Sequence, residues 1–306
     1  MSLDFDMDFE PAHGEAVPVA PGVVRVTVNN PSPFTFHGTN SYIVGHDTLA
    51  VIDPGPEDDA HLDALLKAIG GRPVSHILVT HTHRDHSPLA ARLKQLTGGV
   101  LAAEGVHRTA RAVRGDEQVF LDASADTDFV PDLVLGHGDV IAGDGWRIET
   151  VLTPGHAANH AAFALQGTGV LFSGDHVMAW STSIVAPPDG SMSDYMASID
   201  TLLARDDRLY LPGHGGPLAN PPPFLRGLRT HRRMRERAIL ERLRAGDQTI
   251  AEMVAAIYRE TDPRLHPAAA LSVLAHLEDL VGRGAVATEG DVSLDARYRL
   301  GSASSA

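Results

Sequence analysis

The segment that decides the fold is LVTHTHRDHS, residues 78–87, in which an apolar run leads directly into four side chains of the types that bind metal ions. These are His81, His83, Asp85 and His86. In an extended segment, residues i and i+2 point to the same side, so His81 and His83 can face one cation. Asp85 and His86 lie where the chain turns into a helix, and they can face a second cation. A polar loop that is rich in histidine only by chance is the alternative, but binding sites are commonly built at such strand-to-helix junctions.

Three further segments each place a metal-binding side chain directly after a predicted strand and beside glycine. They are TPGH (153–156), SGDH (173–176) and PGHG (212–215), and they carry His156, Asp175 and His214. Glycine allows the backbone to approach an ion closely, because it has no Cβ. A lone histidine after a strand is more often structural. Three such strand ends together with the first cluster favour one shared metal site.

Imidazole and carboxylate groups are ligands for zinc, iron and manganese, and zinc is the usual ion in sites of mixed nitrogen and oxygen ligands. Two such ions about 3.5–4 Å apart can share a bridging hydroxide and polarise a carbonyl or phosphoryl oxygen of a substrate. Hydrolysis by this route needs neither a serine nor a cysteine nucleophile. The sequence therefore predicts a metal-dependent hydrolase that holds two zinc ions, with iron or manganese as the alternatives.

The first two-thirds of the chain alternate short β-branched runs with glycine, proline and aspartate. We predict strands at 23–28, 41–45, 48–53, 76–80, 147–152, 161–165, 169–174 and 209–212. Apolar residues at helical spacing predict helices at 58–70 and 87–99. Strands and helices mixed in this way indicate a layered α/β fold.

At the prolines 221–223 the predicted secondary structure changes from mixed strands and helices to mainly helices. Beyond them we predict helices at 224–245, 248–260 and 266–283, followed by a short β-prone tail. Helices followed by a hairpin-like tail are typical of a winged-helix module. We therefore predict two domains: a metal-binding domain over residues 1–222, and a connecting helix with a small winged-helix-like domain over residues 223–306.

Composition limits the function classes. The net charge of −14 argues against nucleic-acid binding over the whole surface. The acidic start of the chain lacks the features of a signal peptide, and no apolar run approaches the ~18 residues that a membrane span needs. Together with the absence of cysteine, these features predict a cytoplasmic protein without a membrane partner. One local exception is the set of eight arginines between Arg226 and Arg244, which form either a solvated helix face or an anion-binding surface.

The ordered set of HTHRDH, TPGH, SGDH and PGHG resembles the metallo-β-lactamase fold superfamily, and VIDPGP (51–56) supports the resemblance. It implies an αββα sandwich with the metal ions at one edge. The implied ligands of the first ion are His81, His83 and His156. Those of the second are Asp85, His86 and His214, with Asp175 bridging both ions. Asp53 would orient the ligand loop without binding metal itself.

A narrower resemblance is to the β-lactamase-like protein 2 branch of that superfamily. It rests on GTNSYIVG (38–45), SMSDYMASIDTLL (191–203) and LRTHRRMRERAIL (228–240). That branch also carries a C-terminal winged helix, so the resemblance covers nearly the whole chain after about residue 20. Known branch members are linked with cleavage of single-stranded RNA, and the resemblance implies the same class of phosphodiester substrate here.

The fold alone does not select the substrate, because the superfamily hydrolyses lactams, thioesters, lactones and phosphodiesters and includes redox enzymes. The alternative to an RNA substrate is a small-molecule ester or thioester, as for the hydroxyacylglutathione hydrolases. In that case the C-terminal helices would line the pocket or form a homodimer contact. A non-catalytic winged-helix interaction protein and an iron-dependent redox enzyme are the remaining alternatives.

For catalysis we expect the metal-bridging hydroxide to act as the nucleophile and Asp85 to orient it while binding the second ion. Asp85 and the bridging Asp175 are thus the predicted catalytic residues. His160 and His176 either protonate the leaving group or hydrogen-bond around the ligands. Arg84 would fix the ligand loop or meet an anionic substrate. A pocket between the domains would be shaped by residues 177–195 and by the first C-terminal helix.

Overall fold

Two β-sheets form the centre of the N-terminal part of the chain. The computed structural model describes residues 3–114, 117 and 124–301. Among these residues, the first sheet has its strands in chain order: β1 Val17–Ala20, β2 Val23–Thr27, β3 Asn40–Val44, β4 Leu49–Ile52, β5 Val74–Leu78, β6 Val100–Ala103 and β7 Leu133–Val134. The second sheet has the order β13-β12-β11-β10-β9-β8: β8 Val140–Gly143, β9 Trp146–Leu152, β10 Ala161–Leu165, β11 Val170–Gly174, β12 Leu209–Pro212 and β13 Leu218–Ala219.

The core is divided into layers, because alternate residues of a strand point to opposite faces of its sheet. On β3, Tyr42 packs between the two sheets, whereas Ile43 packs against the helices outside. Helices α1 (Asp59–Ile69) and α2 (Ala90–Thr97) cover the outer face of the first sheet. Helix α3 (Met192–Leu203) covers the outer face of the second sheet. This arrangement is the predicted αββα sandwich.

All eight predicted strands are present, with ends that differ by at most two residues. Helix α2 begins later than predicted, because residues 87–89 form a turn in which the Ala90 N–H donates to the Ser87 carbonyl. Our prediction omitted β6, whose four residues include two alanines and so give a weak strand signal. It also omitted α3 as a helix, although Ser191 is a good N-cap and accepts a hydrogen bond from the Asp194 N–H.

The C-terminal part consists of helices and a small sheet, as predicted. Its elements are α4 Pro221–Ala245, α5 Ile250–Ile257, a 3-10 turn Pro263–Leu265, α6 His266–Gly282, β14 Val286–Thr288 and β15 Tyr298–Leu300. Strands β14 and β15 pair antiparallel and form the wing. Within the described ranges, none of the helices is both long and apolar enough to cross a membrane.

Helix α4 joins the two parts of the molecule. The three prolines lie in its first turn, where proline loses no helical hydrogen bond, so α4 begins at Pro221 and not after the proline run. Leu225 and Leu228 pack into the core beneath the second sheet. Ile239 and Leu243 pack into the separate core of the winged-helix unit. The boundary at 222 stays a prediction, because one continuous helix runs through it.

Candidate metal centre

Three histidine nitrogens converge at the end of β5. The Nε2 atom of His81 lies 3.0 Å from the Nδ1 atom of His83. The same Nδ1 atom lies 3.1 Å from the Nε2 atom of His156, which comes from the turn after β9. Together these atoms form a group of the size that holds one metal ion. They are the three predicted ligands of the first ion.

A second group lies beside the first and mixes nitrogen with oxygen. The Oδ2 atom of Asp85 lies 3.4 Å from the Nε2 atom of His86 and 3.2 Å from the Nε2 atom of His214. His214 reaches the site from the PGHG turn that follows β12. These three residues also form a group that could hold an ion.

Asp175 lies between the two groups, at the end of β11. Its Oδ2 atom is 3.2 Å from the His214 Nε2 atom and 3.7 Å from the His156 Nε2 atom. Its Oδ1 atom is 3.5 Å from the His86 Nε2 atom. This carboxylate can therefore contribute to metal binding by both groups. The structure brings all seven sequence-predicted ligands to one edge of the sandwich.

The ligand imidazoles are oriented by hydrogen bonds from their other ring nitrogens. His86 Nδ1 donates to the Asp53 carboxylate at 3.0 Å, and His156 Nδ1 donates to the Ile184 carbonyl at 2.6 Å. His83 Nε2 donates to the Asp189 carboxylate at 2.7 Å. Such contacts fix which nitrogen faces the metal and are typical of metal-binding histidines.

Asp53 supports the ligand loop, as expected, and it does so from a left-handed backbone conformation with φ of 50° at the end of β4. Its Oδ1 atom accepts from the Thr80 N–H at 2.7 Å, and its Oδ2 atom accepts from the Thr80 hydroxyl at 2.7 Å. Because Oδ2 also accepts from His86, one carboxylate fixes both the start of the loop and one of its ligands.

Asp189 is the site residue that sequence reasoning missed. It is buried, and it follows the adjacent prolines 187 and 188 in the segment PPDG. The sequence signal was weak, since an Asp-Gly pair after proline reads as an ordinary turn. Only the fold brings this turn to His83, more than 100 residues earlier.

The electrostatics of the site favour positive charge between the ligands. Burial lowers the pKa of His214, but the Asp175 and Asp85 carboxylates outweigh it and raise the value to about 9. Despite burial, the neighbouring imidazoles His86 and His214 hold the pKa of Asp175 well below its usual range. The His86 Nε2 and Asp175 Oδ1 atoms are buried without a hydrogen-bond partner among the described residues. A buried nitrogen and a buried oxygen that lie near one another without a hydrogen-bond partner fit the coordination of a cation.

A cleft of about 480 Å³ opens over the ligands His83, Asp85, His156, Asp175 and His214. Much of its wall comes from residues 178–189, within the predicted segment 177–195. The expectation for the first C-terminal helix was wrong, because the residue from the winged-helix unit that borders the cleft is Leu271 on α6. Helix α6 packs against α3, and this brings Leu271 to the opening.

His160 and His176 lie behind the ligands and do not border the cleft. His160 Nε2 accepts from the Asp175 N–H at 3.2 Å, and its Nδ1 donates to the Thr153 hydroxyl at 2.8 Å. Burial lowers the pKa of His176 to about 3, so this side chain is neutral. The structure thus supports a hydrogen-bonding role for His160 and argues against proton donation by either residue.

The arginine-rich segment divides into buried and exposed members. Arg232 is only 4% exposed, and its guanidinium donates to the Ser183 carbonyl. Arg229 is engaged by Asp200 at 2.7 Å, and Arg235 stacks over the ring of Tyr258. The exposed members are Arg226, Arg233, Arg237 and Arg244. The prediction of an anion-binding surface is therefore wrong for Arg232, because the charge of this side chain lies inside the protein.

Both parts of the chain are similar to known protein families. Residues 34–214 match the metallo-beta-lactamase superfamily, and residues 249–296 match the beta-lactamase associated winged helix domain. The crystal structure of a beta-lactamase domain protein from Burkholderia ambifaria superposes with a TM-score of 0.79 at 26% identity, covering 97% of each chain. The predicted fold class is confirmed.

Two relatives cover most of the chain. The beta-lactamase-like protein 2 homolog of Drosophila melanogaster is 32% identical over 276 residues, which are 86% of this chain and 88% of that protein. The atrochrysone carboxyl ACP thioesterase of Aspergillus fumigatus is 27% identical over 258 residues, which are 78% of this chain and 74% of that protein. The predicted resemblance to the first of these groups is confirmed.

Proposed function

The chain belongs to the metallo-beta-lactamase superfamily, and on this premise we propose that it is a two-zinc hydrolase of carboxylic esters and thioesters. The observation that carries the proposal is the set of seven ligands at the base of a cleft whose lining is mainly apolar. Zinc suits the mixed imidazole and carboxylate ligands. The proposed ligands are His81, His83 and His156 for one ion and Asp85, His86 and His214 for the other, with Asp175 shared.

Bound zinc would supply Lewis acidity, which polarises a substrate carbonyl and lowers the pKa of a coordinated water to about 7. The protein's own residues supply position and proton transfer. Asp85 borders the cleft and keeps 28% of its side chain exposed, so it can accept a hydrogen bond from the attacking water. Asp189 and Asp53 hold the imidazoles of His83 and His86 in fixed orientations.

The lining of the cleft favours an acyl substrate over a nucleic acid. Of the described residues that border it, Arg84 is the one with a permanent positive charge. A groove for single-stranded nucleic acid normally follows the backbone with several cations, and this cleft offers one among the described residues. The similarity to a fungal thioesterase agrees with an acyl substrate.

A phosphodiester substrate such as single-stranded RNA remains the second candidate, and one observation favours it. The four exposed arginines of α4 follow one another in steps of seven, four and seven residues, which places them on one face of the helix. None of them forms an ion pair with a carboxylate of the described residues. Such a stripe could contact a phosphate backbone outside the cleft.

A substrate panel on zinc-loaded protein tests the proposal. The panel contains an acyl-glutathione thioester, a lactone, a β-lactam, a phosphodiester dye and a single-stranded RNA oligonucleotide. We expect turnover of the thioester and no cleavage of RNA, because the cleft offers apolar contacts and a single cation. Cleavage of RNA without turnover of the thioester would contradict the proposal and support the second candidate, a phosphodiester substrate.

A further inference from the structure

The cleft over the metal centre has walls from both parts of the molecule. The loop at residues 32–35 contributes Phe34, whose side chain is 55% exposed although it is aromatic. The winged-helix unit contributes Leu271 from α6. Met178 and Ile184 add further apolar surface from the loop after β11. Together these side chains form a contiguous apolar surface beside the metal centre, of the kind that marks a ligand-binding groove.

An ion pair holds helix α6 against the N-terminal part of the chain. Glu278 of α6 accepts from the Arg111 guanidinium at 2.6 Å, and both side chains are mostly buried. The backbone N–H of Ala110 donates to the Pro188 carbonyl at 2.9 Å, and Pro188 borders the cleft. These contacts fix the segment that carries Leu271 beside the cleft wall.

The same cleft contains a cation suited to a charged substrate group. Arg84 borders it, is exposed, and forms no ion pair with the carboxylates of the described residues. An exposed guanidinium beside a reactive centre can bind a carboxylate or phosphate with two parallel hydrogen bonds. The cleft thus combines apolar walls with one site for negative charge.

We propose that the substrate is a thioester with an apolar acyl chain of several carbons, which lies against Phe34 and Leu271, and with an anionic group bound by Arg84. This rests on the proposed ester and thioester hydrolysis. In the reaction, the oxygen of water bonds to the acyl carbon while the C–S bond breaks. One proton of the water passes to the leaving thiolate, and the products are a carboxylic acid and a thiol. No oxidant or reductant is needed.

The test compares acetyl, butanoyl and hexanoyl thioesters of N-acetylcysteamine, which is neutral, and of glutathione, which is anionic. Each methylene that becomes buried is worth about a factor of four in kcat/KM. We expect kcat/KM to rise with chain length in the wild-type protein, and we expect Leu271→Ser to flatten that rise. Leu265→Ser is the matched control, because Leu265 is an exposed leucine beside α6 that does not border the cleft. Arg84→Gln should remove a preference for the glutathione series.

The possible results distinguish a failure of the acyl-chain inference from a failure of the proposed thioester hydrolysis. No turnover of any thioester would contradict the proposed function itself. Turnover that is equal for all chain lengths, or a Leu271→Ser variant with the wild-type chain-length profile, would overturn the acyl-chain inference and leave the hydrolase intact. If the ratio of kcat/KM between the glutathione and N-acetylcysteamine series is the same in Arg84→Gln as in the wild type, Arg84 does not bind an anionic group of the substrate.

A second, independent observation concerns Arg232 on α4. Its side chain is buried, it lies over the ring of Tyr195 at 5.0 Å, and it forms no ion pair with the described carboxylates. Its guanidinium donates to the Ser183 carbonyl. Burying a cation without a counter-ion is costly, so this residue is expected to have a specific task.

The contacts of the segment that Arg232 binds point to this task. The Ser183 hydroxyl donates to the backbone carbonyl of Asp175, and the next carbonyl, that of Ile184, accepts from His156 Nδ1. Two of the seven predicted ligands thus depend on the peptide that Arg232 fixes. We infer that Arg232 is a positioning residue, through which the connecting helix holds Asp175 and His156 in the geometry for metal binding.

Zinc affinity measured by chelator competition tests this role, since a merely structural residue would leave the affinity of the folded protein unchanged. Arg232→Met is expected to weaken zinc binding about 10–100-fold, as for other residues that orient metal ligands. Arg232→Lys keeps the charge and should recover part of the loss, and it also serves if the methionine variant fails to fold. Arg229→Met, on the same helix but paired at the surface with Asp200, is the control. Wild-type affinity in a folded Arg232 variant would overturn the inference.

Discussion

Replacing Asp175 by alanine is expected to abolish ester and thioester hydrolysis, with a loss of kcat of about a thousandfold or more. Loss of a single group that stabilises charge in an active site already costs about 10²–10³-fold. Asp175 does more than this, because its two oxygens face His86 on one side and His156 and His214 on the other. Its removal should impair both proposed ions at once. Steady-state kinetics on purified protein, with bound zinc determined in parallel, measure the effect.

The control for this prediction is Asp63→Ala, which removes an exposed carboxylate from α1 at a distance from the cleft. It should retain full turnover and full zinc content. Asp175→Asn is a useful intermediate, because the amide keeps the size of the side chain but loses the charge and one acceptor oxygen. An Asp175→Ala protein that hydrolyses the thioester at the wild-type rate would exclude the proposed site.

Most of the metal centre could be predicted from sequence because its ligands follow directly from local structure. His81 and His83 share one side of an extended segment, and this is a property of a few consecutive residues. His156, Asp175 and His214 follow β9, β11 and β12, which run in the same direction within the second sheet and therefore end at the same edge. Asp53, which lies at the end of β4, was predicted from the resemblance to the metallo-β-lactamase superfamily.

The remaining features depend on contacts between distant segments, which no local pattern records. Asp189 meets His83 only because the loop after β11 folds over the site. Arg232 looked like one more surface arginine, and its burial follows from the packing of α4 under the second sheet. Leu271 reaches the cleft because α6 packs against α3. Each of these contacts is set by tertiary packing.

Removing zinc is expected to abolish hydrolysis, and adding it back should restore activity with a stoichiometry of two ions per chain. It should also raise the melting temperature. A ligand that binds only the folded state adds about 2.7 kcal/mol at a concentration of 100 Kd, so two occupied sites add about 5 kcal/mol. At about 2–4 °C per kcal/mol for a protein of this size, the melting temperature should rise by roughly 10 °C or more. Calorimetry with and without zinc measures the shift.

The direction of this effect follows from the charges at the site. Without metal, two largely buried carboxylates and five imidazoles face one another, and protons are the available counter-charge: Asp175 and Asp85 raise the pKa of His214 to about 9. Zinc needs neutral imidazoles, so it must displace such protons, and its affinity should increase as the pH rises toward that value. The Asp53→Asn variant removes the charge of this carboxylate and leaves one acceptor oxygen in place of two, so the side chain cannot accept from both the Thr80 N–H and His86 Nδ1, although asparagine tolerates the backbone φ of 50°. A folded wild-type protein that takes up no zinc, or whose melting temperature does not respond to it, would contradict a metal centre built from these seven residues.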